Sequence, residues 1–152
     1  MSARRRPVGM QAAGRTMTWL LCNGLPMGPL RLLRTRGRRS GRARTAPIAV
    51  LRHGGEEWLV SPFGAVAWVH NVRANGDAVL SNGRRVREVR LVEVTGDGVP
   101  GVLRAYRRRF AAVPFVRAAF EPTGRDPVSA FARVAPRHPV FRIVGQQTTP
   151  AG

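Results

Sequence analysis

The sequence predicts a mainly β protein with flanking helices, in which about six antiparallel strands close into a barrel. Three observations carry this. Short apolar runs recur along the chain between Gly-, Pro- and Asn-rich turns. Asn82-Gly83 is the strongest two-residue hairpin signal present. The intervals between most successive runs are too short for the crossover that a parallel pair requires. A closed antiparallel barrel with helices packed outside satisfies all three. At 152 residues one domain is expected, large enough to bury roughly two-thirds of its unfolded surface.

In chain order, residues 1–13, with Arg4-Arg5-Arg6, are expected to form a flexible basic arm ahead of a single domain over 14–145. A short helix is predicted from Gly14 to Asn23, stopped by Asn23-Gly24. Cys22, the lone cysteine, sits among Trp19, Leu20 and Leu21 and reads as a small buried hydrophobe; one cysteine excludes an internal disulfide and a multi-cysteine metal site. That apolar run is too short to span a bilayer, and Asn23, Pro26 and Pro29 interrupt it without a signal-peptide cleavage pattern. A cytoplasmic protein is expected, with the arginine-flanked segment offering a peripheral contact to anionic lipid.

Leu30, Leu32 and Leu33 open the first strand, and Thr45 to Leu51 forms the second, with Ile48, Val50 and Leu51 apolar. His53-Gly54-Gly55-Glu56 is a tight turn, Glu57 to Ser61 a third strand, and Ser61-Pro62-Phe63-Gly64 a bend. Val66, Trp68, Val69 and Val72 fall at helical spacing before Asn75-Gly76-Asp77 ends the helix. Ala78 to Ser81 is a short strand, followed across Asn82-Gly83 by a long one, Arg84 to Thr95. The apolar phase of that strand changes after Leu91, which predicts a bulge or bend there. Val99 to Phe110 reads as a helix with an arginine-rich outer face, Pro127 to Ala135 as another begun by proline, and Pro139 to Val144 as the closing strand. The chain from Gly145 is expected to be loose.

The formal charge is +18, from 26 basic and 8 acidic side chains, and all 26 are arginine. GC-rich coding explains arginine in place of lysine but not the scarcity of acids, so the charge calls for an anionic partner or surface. Nucleic acid is the obvious polyanion. Yet aromatic residues make up only 7% of the chain, and it carries no aromatic-interleaved basic strand, zinc spacing or recognition helix. The charge is densest between the first two strands. There Gly37 and Gly41 can take positive φ while Arg38, Arg39, Arg42 and Arg44 supply forked donors matched to phosphate or carboxylate. A solvated hairpin turn with no ligand is the competing reading of the same segment.

The run from Leu32 to Ile48, through Gly37-Arg38-Arg39-Ser40-Gly41-Arg42-Ala43-Arg44-Thr45-Ala46-Pro47, resembles the glycine-basic-basic-Ser/Thr-glycine-x-x-Arg-Thr-x-Pro-Leu segment of the deazaflavin-dependent nitroreductase family. Trp68-Val69-His70-Asn71-Val72-Arg73-Ala74-Asn75 is similar to that family's Trp-x-x-Asn-Leu-Arg-Ala-Asn helix, in the same order along the chain. The resemblance implies a split β-barrel of the FMN-binding-protein type that binds coenzyme F-420, whose arm carries a phosphodiester and an oligoglutamate tail. It implies hydride transfer between reduced coenzyme and an organic acceptor, with FMN the less favoured cofactor. Position by position, it assigns Arg39 and Arg44 to the phosphate and tail, flanked by Arg38 and Ser40. Pro47 and Ile48 go to the ring wall, Val60 and Ser61 to the strand at the ring's polar edge, and Trp68, Asn71 and Arg73 to the neighbouring helix. A homodimer is an expected assembly.

Departures from the family's pattern shape the expected acceptor. The segment between Ser61 and Trp68 is shorter than the glycine-rich loop of better-known members, and Tyr106 is the sole tyrosine. With polar orienting groups removed, an apolar conjugated acceptor such as an enone or quinone is expected ahead of a polar nitro compound. Phe63, Phe110, Phe115 and Phe120 are candidates for a greasy pocket. His53, His70 and His138 lack metal-ligand spacing, and no acid–base constellation stands out, so no metal and no catalytic side chain is assigned. His70, inside the second motif, is a candidate proton donor. Two other classes remain open at this point: a non-catalytic split-barrel protein holding flavin, haem or another cofactor, and a basic nucleic-acid or membrane-surface binding protein.

Overall fold

The computed structural model of the chain describes residues 30–82 and 85–149. The expected basic arm, the helix over Gly14 to Asn23 with Cys22, the tip of the hairpin at Gly83 and the last three residues lie outside them. Six strands appear: β1 (Leu30–Arg36), β2 (Ala43–His53), β3 (Glu56–Val60), β4 (Asp77–Asn82), β5 (Arg85–Val94) and β6 (Val140–Thr149). They close into an antiparallel barrel in the order β1-β2-β3-β6-β5-β4. The helices are α1 (Ala67–Ala74), α2 (Val99–Arg109), α3 (Pro114–Ala119) and α4 (Val128–Val134), the last continued by a 3-10 turn at Ala135–Arg137.

Period-two alternation divides the strands' apolar residues between two cores. Leu33, Leu59, Leu80, Val89, Leu91, Phe141 and Ile143 fill the barrel interior together with Trp68, Val69 and Val72 of α1, so α1 is packed into that core. Leu30, Ala49, Leu51, Trp58, Val60 and Val140 point the other way and pack under α2, α4 and the connecting segments, against Leu103, Tyr106, Phe110 and Phe131. Each strand face is therefore buried where a helix covers it.

Two expectations are corrected along β5 and β6. The register shift lies between Glu88 and Arg90, not at Leu91, and the extra residue belongs to β6, where Gly145 adopts φ +63°. The phase change after Leu91 has another origin: Val94 packs on the helix-side core while Val92 is exposed. Nor is the chain loose from Gly145, since Gln147, Thr148 and Thr149 pair with Glu88, Arg87 and Val86. Helix α3 had no counterpart among the predicted elements. At six residues it is too short to show periodicity, and only Pro114 at its first turn marks it.

Candidate functional site

Between β1 and β2 the chain makes a compact turn whose shape is set by two glycines acting differently. Gly37 N donates to Arg42 O at 2.8 Å and Gly41 N to Gly37 O at 2.9 Å. Gly41 takes φ +71°, as expected, but Gly37 is not in the left-handed region; it is needed for space, because a Cβ there would stand 2.9 Å from Arg42 O. Ser40 Oγ accepts from Arg42 N at 3.2 Å and braces the far side. Gly37→Ala should therefore cost roughly 1–3 kcal/mol, the range for overpacking a tight site, and loosen the turn. Chemical denaturation of the purified variant measures it.

Helix α1 locks onto this turn through one buried amide. Asn71, 2% exposed, accepts at Oδ1 from both Arg38 N and Arg38 Nη1 at 3.2 Å, and donates from Nδ2 to Thr35 Oγ1 at 3.2 Å. Both polar atoms of a buried amide that would otherwise be costly are thereby satisfied, by three hydrogen bonds. Asn71 and Trp68 thus stand beside the arginine turn in space although some thirty residues separate them from it in sequence.

The result is a cleft of about 460 Å³. Of the residues assigned from sequence, Arg38, Arg39, Ser40, Arg44, Trp68 and Asn71 line it. Thr35, Gly37, Thr45, Ala46, Val66 and Ala67 line it as well, though none of them was among the residues assigned to the cofactor. Thr35 and Ala46 were detectable only through strand register, since β1 and β2 pair Thr35 with Arg44 and Leu33 with Ala46. Arg39 and Arg44 are exposed and form no salt bridge with any acid among the described residues. Two free guanidinium forks above an apolar floor of Trp68, Ala46 and Val66 can hold a ligand with an anionic arm and a flat apolar body.

The other assigned residues lie elsewhere. Ile48 is in the barrel core and Val60 in the helix-side core. Pro47 is half-buried on β2 opposite Leu32. Ser61 is fully buried; its N donates to Pro139 O at 2.9 Å and its Oγ to Gly64 O. Arg73 faces away from the arginine turn and grips Glu93 through Nε at 2.9 Å and Nη2 at 2.8 Å, a hydrogen-bonded pair that holds its guanidinium still more firmly protonated.

A second cleft, about 710 Å³, opens on the Arg73 side of α1. Pro62, Ala65, His70, Val134 and His138 are among its walls, and it adjoins the first cleft in the sense that Ala65 lines one and the next residue, Val66, the other. His138 is 4% exposed, stacks on Phe120 with centroids 4.1 Å apart, and places Nδ1 2.8 Å from Pro62 O. A carbonyl can only accept, so Nδ1 carries the proton and the tautomer is fixed. His70 is exposed at the rim.

A third cleft, of about 740 Å³, lies along the outer wall of β1, β4 and β5. It is the largest of the three, and two acids, Asp77 and Glu88, line it beside Arg34, Arg36 and Arg90, with Asp77 paired to Arg90 at 3.0 Å.

The expected phenylalanine pocket is corrected for three of its four residues, the Phe115 side chain lying outside what the structure describes. Phe63, Phe110 and Phe120 are 7%, 1% and 5% exposed and belong to the helix-side core. Tyr106 lies with them at 1% exposure, edge-on to Phe110 at 4.9 Å, and burial pushes its phenol far above its ordinary value. It is a core residue rather than a substrate contact. Phe63 alone of these also borders the second cleft.

The model of the F420H(2)-dependent quinone reductase family matches residues 9–117. No curated protein matches the chain significantly in sequence. Among solved structures, an F420-H2 dependent reductase, FDR-A, is similar at 19% identity, TM-score 0.52, over 76% of this chain and 94% of that one. A conserved hypothetical protein, Rv2991 of Mycobacterium tuberculosis, is similar at 15% identity, TM-score 0.52, over 97% and 88%. The haem storage protein HutZ of Vibrio cholerae is similar at 10% identity, TM-score 0.51, over 91% and 95%. At these identities the likeness is one of fold, the split barrel.

Proposed function

The chain belongs to the F420H(2)-dependent quinone reductase family and is an F-420-dependent oxidoreductase; from that premise we propose that it carries hydride from reduced coenzyme F-420 to an apolar conjugated acceptor, a quinone or enone in preference to a polar nitro compound. When bound, the deazaflavin supplies the hydride chemistry itself. The chain's residues bind and orient. Arg39 and Arg44 hold the phosphodiester and the acidic tail, Arg38 and Ser40 stand beside them, and Asn71 keeps the turn at the distance from α1 that the cleft requires. Trp68, Ala46 and Val66 give the ring an apolar surface that excludes water.

The single observation that carries this reading is the pairing of unneutralised arginines with an apolar floor in one cleft. Hydrolytic chemistry needs no such floor, and a purely electrostatic surface needs no cleft. The acceptor fits the second cleft, where Pro62, Phe63, Ala65, Val134 and Pro136 offer apolar walls, and the imidazole of His70, exposed at its rim, stands where it can deliver the proton that completes a hydroquinone.

Equilibrium dialysis against oxidised F-420, FMN and haem should show preference for F-420. Oxidation of reduced F-420 should then proceed with menadione or cyclohexenone and be slower with a nitroimidazole. Nitroimidazole turnover with neither of the others would overturn the acceptor assignment, and tight F-420 binding with no turnover of any acceptor would make the protein a carrier.

A further inference from the structure

His138 is buried at the edge of the second cleft, yet hydride and proton transfer as described above give it no part. It follows the 3-10 turn at Ala135–Arg137, its N donating to Ala135 O at 3.1 Å, and stands just ahead of β6. Its ring lies on Phe120, and its fixed tautomer aims the Nδ1 proton at Pro62 O, 2.8 Å away. A phenylalanine would serve the stacking equally well. The hydrogen bond requires a donor at that one atom, and the carbonyl is the only hydrogen-bonding backbone group that a proline offers.

Pro62 belongs to the bend over residues 61–66, which joins β3 to α1 outside any strand or helix. Gly64, at φ +84°, turns it sharply. Ser61 N donates to Pro139 O at 2.9 Å and ties the start of the bend to the approach of β6, and Ser61 Oγ donates to Gly64 O within it. This bend is the partition between the two clefts: Pro62, Phe63, Gly64 and Ala65 line the second cleft, and Val66 the arginine cleft. Its far end is secured separately. Val66 O accepts from Val69 N and His70 N at 3.0 and 3.2 Å where α1 begins, and α1 is locked to the arginine turn through Asn71. A shift at Pro62 therefore displaces the wall of the second cleft and leaves the arginine cleft in place.

We propose that His138 is a positioning residue for the acceptor: by holding Pro62 through its Nδ1 proton, it sets the wall that decides how the acceptor meets the cofactor. Transfer between two bound groups needs the reacting atoms roughly 3–3.5 Å apart, and a misplacement of about 1 Å costs on the order of a hundredfold in rate. The inference rests on the function proposed above, in which the second cleft receives the acceptor. It assigns the hydrogen bond to catalysis and the ring stack to packing, and the two are separable by substitution.

Full-length H138F and H138N are compared with the wild type by titration with oxidised F-420 and by menadione-dependent oxidation of reduced F-420. Phenylalanine keeps a ring on Phe120 and removes the donor, whereas asparagine removes the ring and keeps an N–H at the atom equivalent to Nδ1. H138F should lose about tenfold to a hundredfold in kcat/KM for menadione, with its F-420 Kd within about twofold of the wild type. H138N should keep kcat/KM within about threefold. A residue that only fills the core gives the reverse order, with phenylalanine the milder change and F-420 binding lost alongside turnover. Unchanged kcat/KM in H138F, a parallel loss of F-420 affinity, or H138N impaired as much as H138F would each overturn the proposal. Should H138F not fold, H138N decides alone: near-wild-type kcat/KM supports the assignment, and a loss of about tenfold overturns it. Should the wild type turn over no acceptor, the acceptor reading fails by itself, and hydrogen exchange of the same variants reads the positioning. Faster exchange at residues 63–66 in H138F but not in H138N, with residues 37–45 unaltered, supports it; exchange at residues 63–66 that does not distinguish the two variants overturns it.

Discussion

Replacing Arg39 and Arg44 together with alanine is expected to weaken F-420 binding by about a hundredfold to ten-thousandfold while leaving thermal stability nearly unchanged. Hydrogen bonds to charged groups are worth roughly 1.5–3 kcal/mol each, and every 1.4 kcal/mol is about tenfold in affinity. Stability should not follow, because both side chains are exposed and neither has an acidic partner among the described residues to lose. Fluorescence titration with oxidised F-420 beside a thermal melt measures both quantities. Unchanged affinity with an intact melt would remove the arginine clamp from the mechanism. Lys in place of either Arg should recover only part of the loss, since an ammonium cannot make the bidentate contact that a guanidinium offers to phosphate.

Trp68→Ala should act in the opposite pattern, lowering stability first. Trp68 is 6% exposed, lies in the barrel core and tilts against Phe141 with ring centroids 5.4 Å apart. Truncating a buried tryptophan to alanine costs about 3–5 kcal/mol, which corresponds in a chain of this size to a fall in Tm of about 6–20 °C. The same ring lines the arginine cleft, so F-420 affinity should fall in the folded fraction too. Trp68→Phe keeps most of the packing and should recover most of the stability. A melt unaffected by Trp68→Ala would mean that the ring is not core.

The two variants together explain why some site residues were legible in the sequence and others were not. The arginine turn stands out because glycines and like charges sit there at close spacing, but local chemistry offers Arg38, Arg39, Arg42 and Arg44 alike, and only the resemblance singles out Arg39 and Arg44. Trp68 and Asn71 were found by resemblance, and nothing in their own spacing says that α1 faces the turn. Asn71 takes its role from contacts with Arg38 and Thr35, thirty-three and thirty-six residues away. Arg73 sits on the same helix, two residues on, and points to Glu93 on the other side. A helix turns by about 100° per residue, so a linear motif carries residues for two faces and does not distinguish them.

Strand phase misled in a similar way. Val92 and Val94 break the alternation of β5, and a bulge is the local explanation; the helix layer covering Val94 is the tertiary one. The phenylalanines were equally ambiguous, because a greasy pocket and a packed core have the same composition. Only the position of α2 and α4 over the barrel buries Phe110 and Phe120.

What the sequence by itself determined, then, is whatever is encoded over a few neighbouring residues: antiparallel strands joined by short turns, a cationic glycine turn, and an excess of arginine that calls for an anion. Tertiary structure decided which residues share a cleft, which face α1 turns to the arginines, and that Arg108, Arg109, Arg117, Arg125 and Arg133 of the helical layer form no salt bridge among the described residues. The reason is physical: turn conformation and strand alternation are fixed by steric and hydrophobic terms acting within a few residues, whereas clefts and unpaired charge are created by packing between segments far apart in the chain.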